Sequence, residues 1–175
     1  RNPLLNRGTA GAYAPGSTFK MVVALAALEA GIISEKTRHF CNGSMDLGNR
    51  TFHCWFEDGH GSMNVFKALE RCVYVFFYEV ALKTGIRRIK NMALRLGLGF
   101  STGLDIPGEK PGLIPSHDWK LATHGVVWTP GETVNAGIGQ GYVLTTPLQL
   151  AGMIARLANA ELAVTPALQV LDSRP

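Results

Sequence analysis

The sequence predicts a mainly helical unit that carries one deeply buried helix at a chemically loaded start. Three observations predict it. An uncharged apolar run, Met21–Leu28, follows a Pro15-Gly16 turn and lasts until Glu29. Two further helical patterns, 64–84 and 86–96, each end at glycine. A Thr146-Pro147 pair then opens a last helix. A helix apolar all round is a buried helix. Hydrophobic residues make up 46% of the 175 residues and charged residues 17%, enough apolar mass for a real core.

The elements follow in order. Residues 1–16, rich in Gly, Asn and Pro, read as loop. Residues 17–30 read as the buried helix, closed by Gly31. Residues 32–62 read as irregular, with turn signals at Asn42-Gly43, Asp46, Gly48-Asn49 and Gly59-His60-Gly61. Residues 64–84 read as one helix, with Asn64 as N-cap and Gly85 as stop. Residues 86–96 read as a short amphipathic helix ended by Gly97-Leu98-Gly99. Residues 100–143 are rich in Gly and Pro and read as a long surface segment, of a length that usually carries function. The last helix puts Leu148, Leu150, Ile154 and Leu157 on its apolar side. Residues 163–170 begin an extended segment. The chain opens at Arg1 without Met, and we read 1–175 as a piece of a longer protein, a single partial domain.

Charge excludes some function classes. The net charge of +4 is modest and scattered, which argues against nucleic acid as a partner. Arg87, Arg88 and Lys90 read as a solvated helix face. No run reaches the roughly 18 apolar residues that a membrane span needs.

The chemistry starts at Ser17-Thr18-Phe19-Lys20. Residues at i and i+3 share a helix face, so a hydroxyl and an amine point at one space. Serine is a poor nucleophile until a base takes its proton, and a desolvated lysine is such a base. Burial beside an apolar run penalises the ammonium and pulls Lys20 below an ordinary lysine. The bland alternative is an N-capping Ser17 with a solvated Lys20.

The motifs around this pair carry a resemblance. Asn2-Pro3-Leu4-Leu5-Asn6-Arg7 precedes Tyr13–Lys20. Gly59-His60-Gly61, Gly103–Glu109, Gly112-Leu113-Ile114-Pro115, Trp119 and Gly137–Leu150 follow in order. The set resembles the class B penicillin-binding proteins, most of all the elongation-type D,D-transpeptidases. The resemblance implies an α/β (α+β) fold, penicillin-binding and serine β-lactamase-like. It consists of an antiparallel sheet with a helical cluster, of which this chain holds mainly the helical part. It implies Ser17 as the nucleophile on D-Ala-D-Ala stem peptides and on β-lactams, with Lys20 as its base. It implies no cofactor for catalysis. The implied partners are peptidoglycan stem peptides, the lipid-linked precursor and a membrane glycosyltransferase of the elongation machinery. The implied place is the periplasmic face of the bacterial inner membrane, with the anchor outside this chain.

Two departures qualify that. The family's second motif, S-x-N or S-x-D, falls just inside the helix after Ala68-Leu69-Glu70-Arg71, where this chain reads Cys72-Val73-Tyr74. A one-residue slip would instead make Cys72 the middle residue. Either way the relaying hydroxyl is replaced. The third motif, K-[ST]-G on an edge strand, is not reached by Pro175. Lys83-Thr84-Gly85 spells it but closes a helix. Rival readings are therefore a degenerate homologue kept as a binding scaffold, and a β-lactam sensor or hydrolase on the same fold.

Cys41, Cys54, His60 and Cys72 form the other constellation. Thiolates and imidazole in a set of four suit structural zinc, although C-x12-C-x5-H-x11-C is no standard finger spacing. His53 is an alternative to His60. A Cys41–Cys54 disulfide is the rival in an extracytoplasmic setting, and unrelated buried thiols are the third reading. His39, His117 and His124 lack partners in sequence. Trp119, Trp128 and Tyr142 either pack the 100–143 segment onto the core or, for Trp128 and Tyr142 above all, line a substrate groove. Asp105 and Glu109 read as turn residues.

Overall fold

The structure, a computed structural model, describes residues 5–104, 106–160 and 166. The extended segment expected at 163–170, apart from Pro166, and Asp105 lie outside the described residues.

A 3-10 turn, Gly16–Phe19, runs straight into α1, Lys20–Glu29. Phe19, Val22, Val23, Ala26 and Ala27 are buried, as a charge-free run requires. Each fully buried Val or Phe side chain contributes about 1.5–3 kcal/mol. The helix stops in a double bond pattern. Gly31 N–H donates to Leu28 O at 3.0 Å and Ile32 N–H to Ala27 O at 2.9 Å. That pattern needs a left-handed residue between them, and Gly31 sits at φ +67°.

The 32–62 stretch is not irregular. It holds β1 (His39–Cys41), β2 (Ser44–Leu47) and β3 (Arg50–His53), and β4 (Gly61–Met63) follows. β1 pairs antiparallel with β4, Cys41 facing Gly61, and β2 pairs with β3 across the two-residue Gly48-Asn49 loop. Alternation over three or four residues is too short to show in sequence.

The expected 64–84 helix is two. α2 (Val65–Glu70) is capped by Asn64, whose side chain accepts from Lys67 N–H at 3.1 Å. α3 (Tyr74–Thr84) starts after a break and stops at Gly85. At the break Cys72 N–H donates to Leu69 O at 3.3 Å and Val73 N–H to Ala68 O at 2.9 Å. This is the closure that ends α1, but the left-handed position is Cys72 at φ +53° instead of glycine. The second-motif residues thus span a helix boundary, with Cys72 and Val73 in the break and Tyr74 opening α3.

α4 (Ile86–Arg95) is amphipathic as expected, with Ile86, Ile89, Met92 and Ala93 buried and Arg87 and Arg88 exposed. The 100–143 segment is not a surface loop. It contains α5 (His117–His124) and α6 (Pro130–Gly137). Val134, Ala136, Ile138 and Val143 are core residues, and α6 packs on α3. α7 (Pro147–Ala158) has the expected Thr146 start. Its buried side is Gln149 and Met153, while Ile154 is 45% exposed. Gln149 is buried because it is saturated: its Nε2 donates to Phe100 O and Pro111 O, both at 2.8 Å, and its Oε1 accepts from Thr146 N–H.

Candidate active site

Ser17 lies in the 3-10 turn and is exposed; Lys20 begins α1 and is 1% exposed. A 3-10 turn repeats every three residues, so positions 17 and 20 stack one above the other. The Lys20 N–H donates to the Ser17 carbonyl and closes that turn. The turn is held from outside. Gly16 N–H donates to Gly139 O at 3.0 Å. A Cβ on Gly139 would fall 2.2 Å from Gly16 O and 2.8 Å from Phe19 Cβ. The Gly137–Gly141 stretch therefore abuts the backbone that presents Ser17.

The Lys20 side chain crosses to the α2–α3 break. Its Nζ donates to Cys72 O at 3.0 Å and lies 4.1 Å from the centre of the Tyr74 ring and 5.5 Å from that of Phe77. Burial pulls its pKa from 10.5 down to about 8, against the opposing pull of the Cys72 and Cys54 thiols. At pH 7 about a tenth of such an amine is neutral, against roughly a few ten-thousandths for a free lysine. The Cys72 thiol is turned back toward α2, with Sγ 3.8 Å from Leu69 O. At position 72 the backbone carbonyl, not the thiol, meets the lysine.

Cys41, Cys54 and His60 converge; their ligand atoms all lie within 4.8 Å of one another. Strand pairing explains this. Cys41 ends β1 opposite Gly61, which carries His60 alongside, and Cys54 N–H donates to Gly43 O at 2.7 Å, which folds the β2–β3 hairpin back. His60 Nδ1 is 3.5 Å from Cys41 Sγ and 3.6 Å from Cys54 Sγ. Bonds of about 2.3 Å to sulfur and about 2.0–2.1 Å to nitrogen, at a tetrahedral angle, separate such atoms by about 3.6 Å. The donor set fits zinc. Burial pushes the Cys41 thiol up. Burial also acts upward on Cys54, but the amides of Tyr74, Val75 and Phe56 outweigh it and pull Cys54 down. Cys54 thus sits at the amino end of α3, where a thiolate is favoured. Burial, then the Arg71 and Lys20 charges, lowers the His60 pKa and keeps the ring neutral, the ligand form. All three cysteines are free thiols, so the rival Cys41–Cys54 bridge is not formed in this structure. Cys72, the expected fourth ligand, stands outside the trio. It shares with His60 the wall of a 600 Å³ cleft also lined by Trp55, Phe56 and Arg71. His53 is exposed and outside the trio.

Other expectations resolve differently. His39 has a partner: its Nδ1 pairs with Glu79 Oε2, a contact between β1 and α3 that local sequence does not show. His117 lies tilted against the Trp128 ring at 6.1 Å, and His124 meets the Trp119 ring edge-on at 5.3 Å. Trp119 and Tyr142 meet at 5.1 Å, Trp128 and Tyr142 at 6.4 Å, and Trp128 Nε1 donates to Thr133 Oγ1 at 2.8 Å. The rings thus knit α5, α6 and Tyr142 together beside the Lys120–Glu132 ion pair. Glu109 accepts from Thr102 N–H at 2.8 Å, a turn role as expected. Lys83-Thr84-Gly85 closes α3, with Thr84 Oγ1 donating to Val80 O. Among the described residues no helix is long and apolar enough to cross a membrane. Sequence reasoning missed Gly139 and the Cys72 carbonyl. The G-x-G-x-G run of 137–141 was a signal for the first; a carbonyl leaves no signal.

Known proteins share this fold. The family model of the penicillin-binding protein transpeptidase domain matches residues 1–171. Peptidoglycan D,D-transpeptidase MrdA of Salmonella typhimurium is 40% identical over 166 residues, 94% of this chain and 27% of that protein. The crystal structure of Pseudomonas aeruginosa penicillin-binding protein 2 in complex with WCK 5153 is 43% identical. It superposes with a TM-score of 0.92 over 99% of this chain and 40% of that one. Helicobacter pylori penicillin-binding protein 2, in its complex with MreC, is 37% identical with a TM-score of 0.93, over 99% of this chain and 33% of that one. The chain thus spans about a quarter of the length of the curated relative. It belongs to the penicillin-binding protein transpeptidase family.

Proposed function

We propose that this chain is the nucleophile-bearing part of a peptidoglycan D,D-transpeptidase of the elongation type. The observation that carries the reading is a serine and a buried lysine stacked on one turn, the lysine poised near pH 8 by burial. Neutral Lys20 takes the Ser17 Oγ proton as Oγ bonds to the carbonyl carbon of the penultimate D-Ala of a donor stem. The tetrahedral oxyanion forms beside the Ser17 N–H at the helix start, where amides lack intrahelical partners. The C–N bond breaks and the leaving D-Ala amine takes the proton from Lys20. An acceptor-stem amine then attacks the acyl carbon as its proton passes to the neutral Lys20 amine, and the Ser17 Oγ–C bond breaks as Lys20 returns that proton to Oγ. A β-lactam, resembling the D-Ala-D-Ala end, stops at the acyl stage.

Trp128 and Tyr142 are our candidates for the groove wall. Stem peptides on the lipid-linked precursor are the proposed substrates, and a membrane glycosyltransferase that makes the glycan strand is the proposed partner. The complex of the Helicobacter relative with MreC supports a role within a multiprotein assembly, and the periplasmic face of the inner membrane is the proposed location. Cys41, Cys54 and His60 are proposed to hold a structural zinc, which on binding ties β1, β4 and the amino end of α3 together; catalysis itself uses no cofactor.

The test is labelling of the full-length protein by fluorescent penicillin, with and without Ser17→Ala. Labelling that Ser17→Ala abolishes is expected. An unlabelled wild type overturns the reading in favour of a binding scaffold, and rapid hydrolysis of the label favours a β-lactamase-like enzyme. Zinc is checked by metal analysis after chelator-free purification, where less than about one ion per ten chains refutes it.

A further inference from the structure

The second motif poses a problem of chemistry. A general base must sit still in two protonation states, since it arrives as an amine and leaves the first proton transfer as an ammonium. The Cys72 thiol cannot hold it, because Sγ points at Leu69 O. Two groups do touch Lys20 Nζ from this side. Cys72 O accepts from it at 3.0 Å, and the Tyr74 ring presents its face at 4.1 Å from Nζ to centroid.

We propose that Tyr74 is a positioning residue of the reaction: the face of its ring holds the Lys20 amine against the Cys72 carbonyl, in place of a compact polar side chain. The proposal rests on the transpeptidase reading above. An aromatic face attracts the ammonium through the ring quadrupole and tolerates the neutral amine through a weaker N–H contact. It therefore keeps Nζ in place before and after proton transfer. A carboxylate at the same position would pin the charged form and resist its loss. The left-handed Cys72 makes the arrangement possible, because it ends α2 and starts α3 at Tyr74 with the carbonyl of residue 72 aimed at Nζ. The contact is with the ring face, so the proposal assigns the role to the ring and not to the phenol oxygen.

The experiment is stopped-flow acylation of the full-length protein by a fluorescent penicillin, resolving the pre-covalent dissociation constant from the acylation rate constant. Tyr74→Phe is expected to acylate within about twofold of wild type. Tyr74→Leu is expected to lose about tenfold in the acylation rate constant with an unchanged pre-covalent dissociation constant. A Tyr74→Phe loss as large as that of Tyr74→Leu overturns the proposal, since the hydroxyl would then be the working group. An unchanged rate in Tyr74→Leu, or a loss confined to the pre-covalent constant, overturns it too. The wild type supplies a second readout that needs no variant to fold. In a lysine-labelled sample the Lys20 Hε resonances are expected to be displaced upfield by the ring current; undisplaced Hε resonances refute the contact. If the wild type does not acylate, the transpeptidase reading falls and takes the proposal with it. If the wild type acylates and Tyr74→Leu does so equally, only the proposal falls.

Discussion

α1 and α3 both contribute to the environment of one amine, and they do so by different means. α1 supplies Lys20 itself, from a run of side chains that bury without charge and from a 3-10 turn that stacks it on Ser17. α3 supplies the surroundings of that amine from its amino end: the carbonyl of the preceding break and a ring face. On the α1 side a serine and a buried lysine stand three residues apart, and their types carry the proposed chemistry. On the α3 side the types differ and the backbone course takes over. The difference teaches that the lysine environment depends on where α3 begins, which a motif written in side chains does not capture.

The largest expected effect lies on the α1 side. Lys20→Met should slow acylation of Ser17 by about 10²–10⁴-fold, the usual worth of a positioned base. The same variant should change stability with a defined sign. The folded pKa of about 8 lies below the ordinary 10.5, so between those values the unfolded chain binds more protons and stability rises with pH. Below pH 8 the burial of Lys20 costs about 3 kcal/mol, and Lys20→Met should be more stable there, with the gain fading between pH 8 and pH 10.5 and gone above that. Urea melts of both proteins at pH 7 and pH 10.5 check this. A gain that grows with pH would break the account of α1.

Next comes the anchor of α3. Cys54 takes the amides of Tyr74 and Val75, so a metal on the trio fastens the helix start. At a free zinc concentration about a thousand times Kd the ion stabilises by about 4 kcal/mol. Chelation should lower Tm accordingly, and zinc should restore it. A Tm indifferent to chelator would detach the β-strands from α3.

Gly139→Ala returns to α1. The new methyl meets Gly16 O at 2.2 Å in a left-handed backbone, so it should cost more than about 2 kcal/mol and depress acylation by shifting the Ser17 turn. A stable variant with full labelling would show that the turn needs no outside support. The smallest effect sharpens the α3 side. Cys72→Gly relieves a Cβ at φ +53° and should stabilise by about 1 kcal/mol in thermal melts while acylation persists, because the carbonyl remains. Loss of acylation there would return the role to the thiol.

How much of this was legible follows the same divide. Local rules worked wherever a side chain signs its own position. The Asn64 cap, the Gly31 and Gly85 stops and the Thr146 start stand where sequence puts them. The buried lysine followed from its charge-free neighbours. The break at Cys72 stayed hidden because a left-handed cysteine carries no glycine signal. α6 was legible: Thr129-Pro130-Gly131-Glu132 spells a cap position, a first-turn proline and a glutamate that reaches back, and Glu132 Oε2 accepts from both the N–H and the hydroxyl of Thr129. The Cys41–Cys54–His60 set was visible as composition, but its membership depends on the pairing of three- and four-residue strands. The same dependence on distant partners hid His39–Glu79.

The most direct measurement is the pH dependence of Ser17 acylation by a fluorescent penicillin at saturating label. The account predicts a rate that rises through a midpoint near pH 8 in the wild type, with the rise lost in Lys20→Met. A midpoint near 10.5, or the same rise in Lys20→Met, would contradict it.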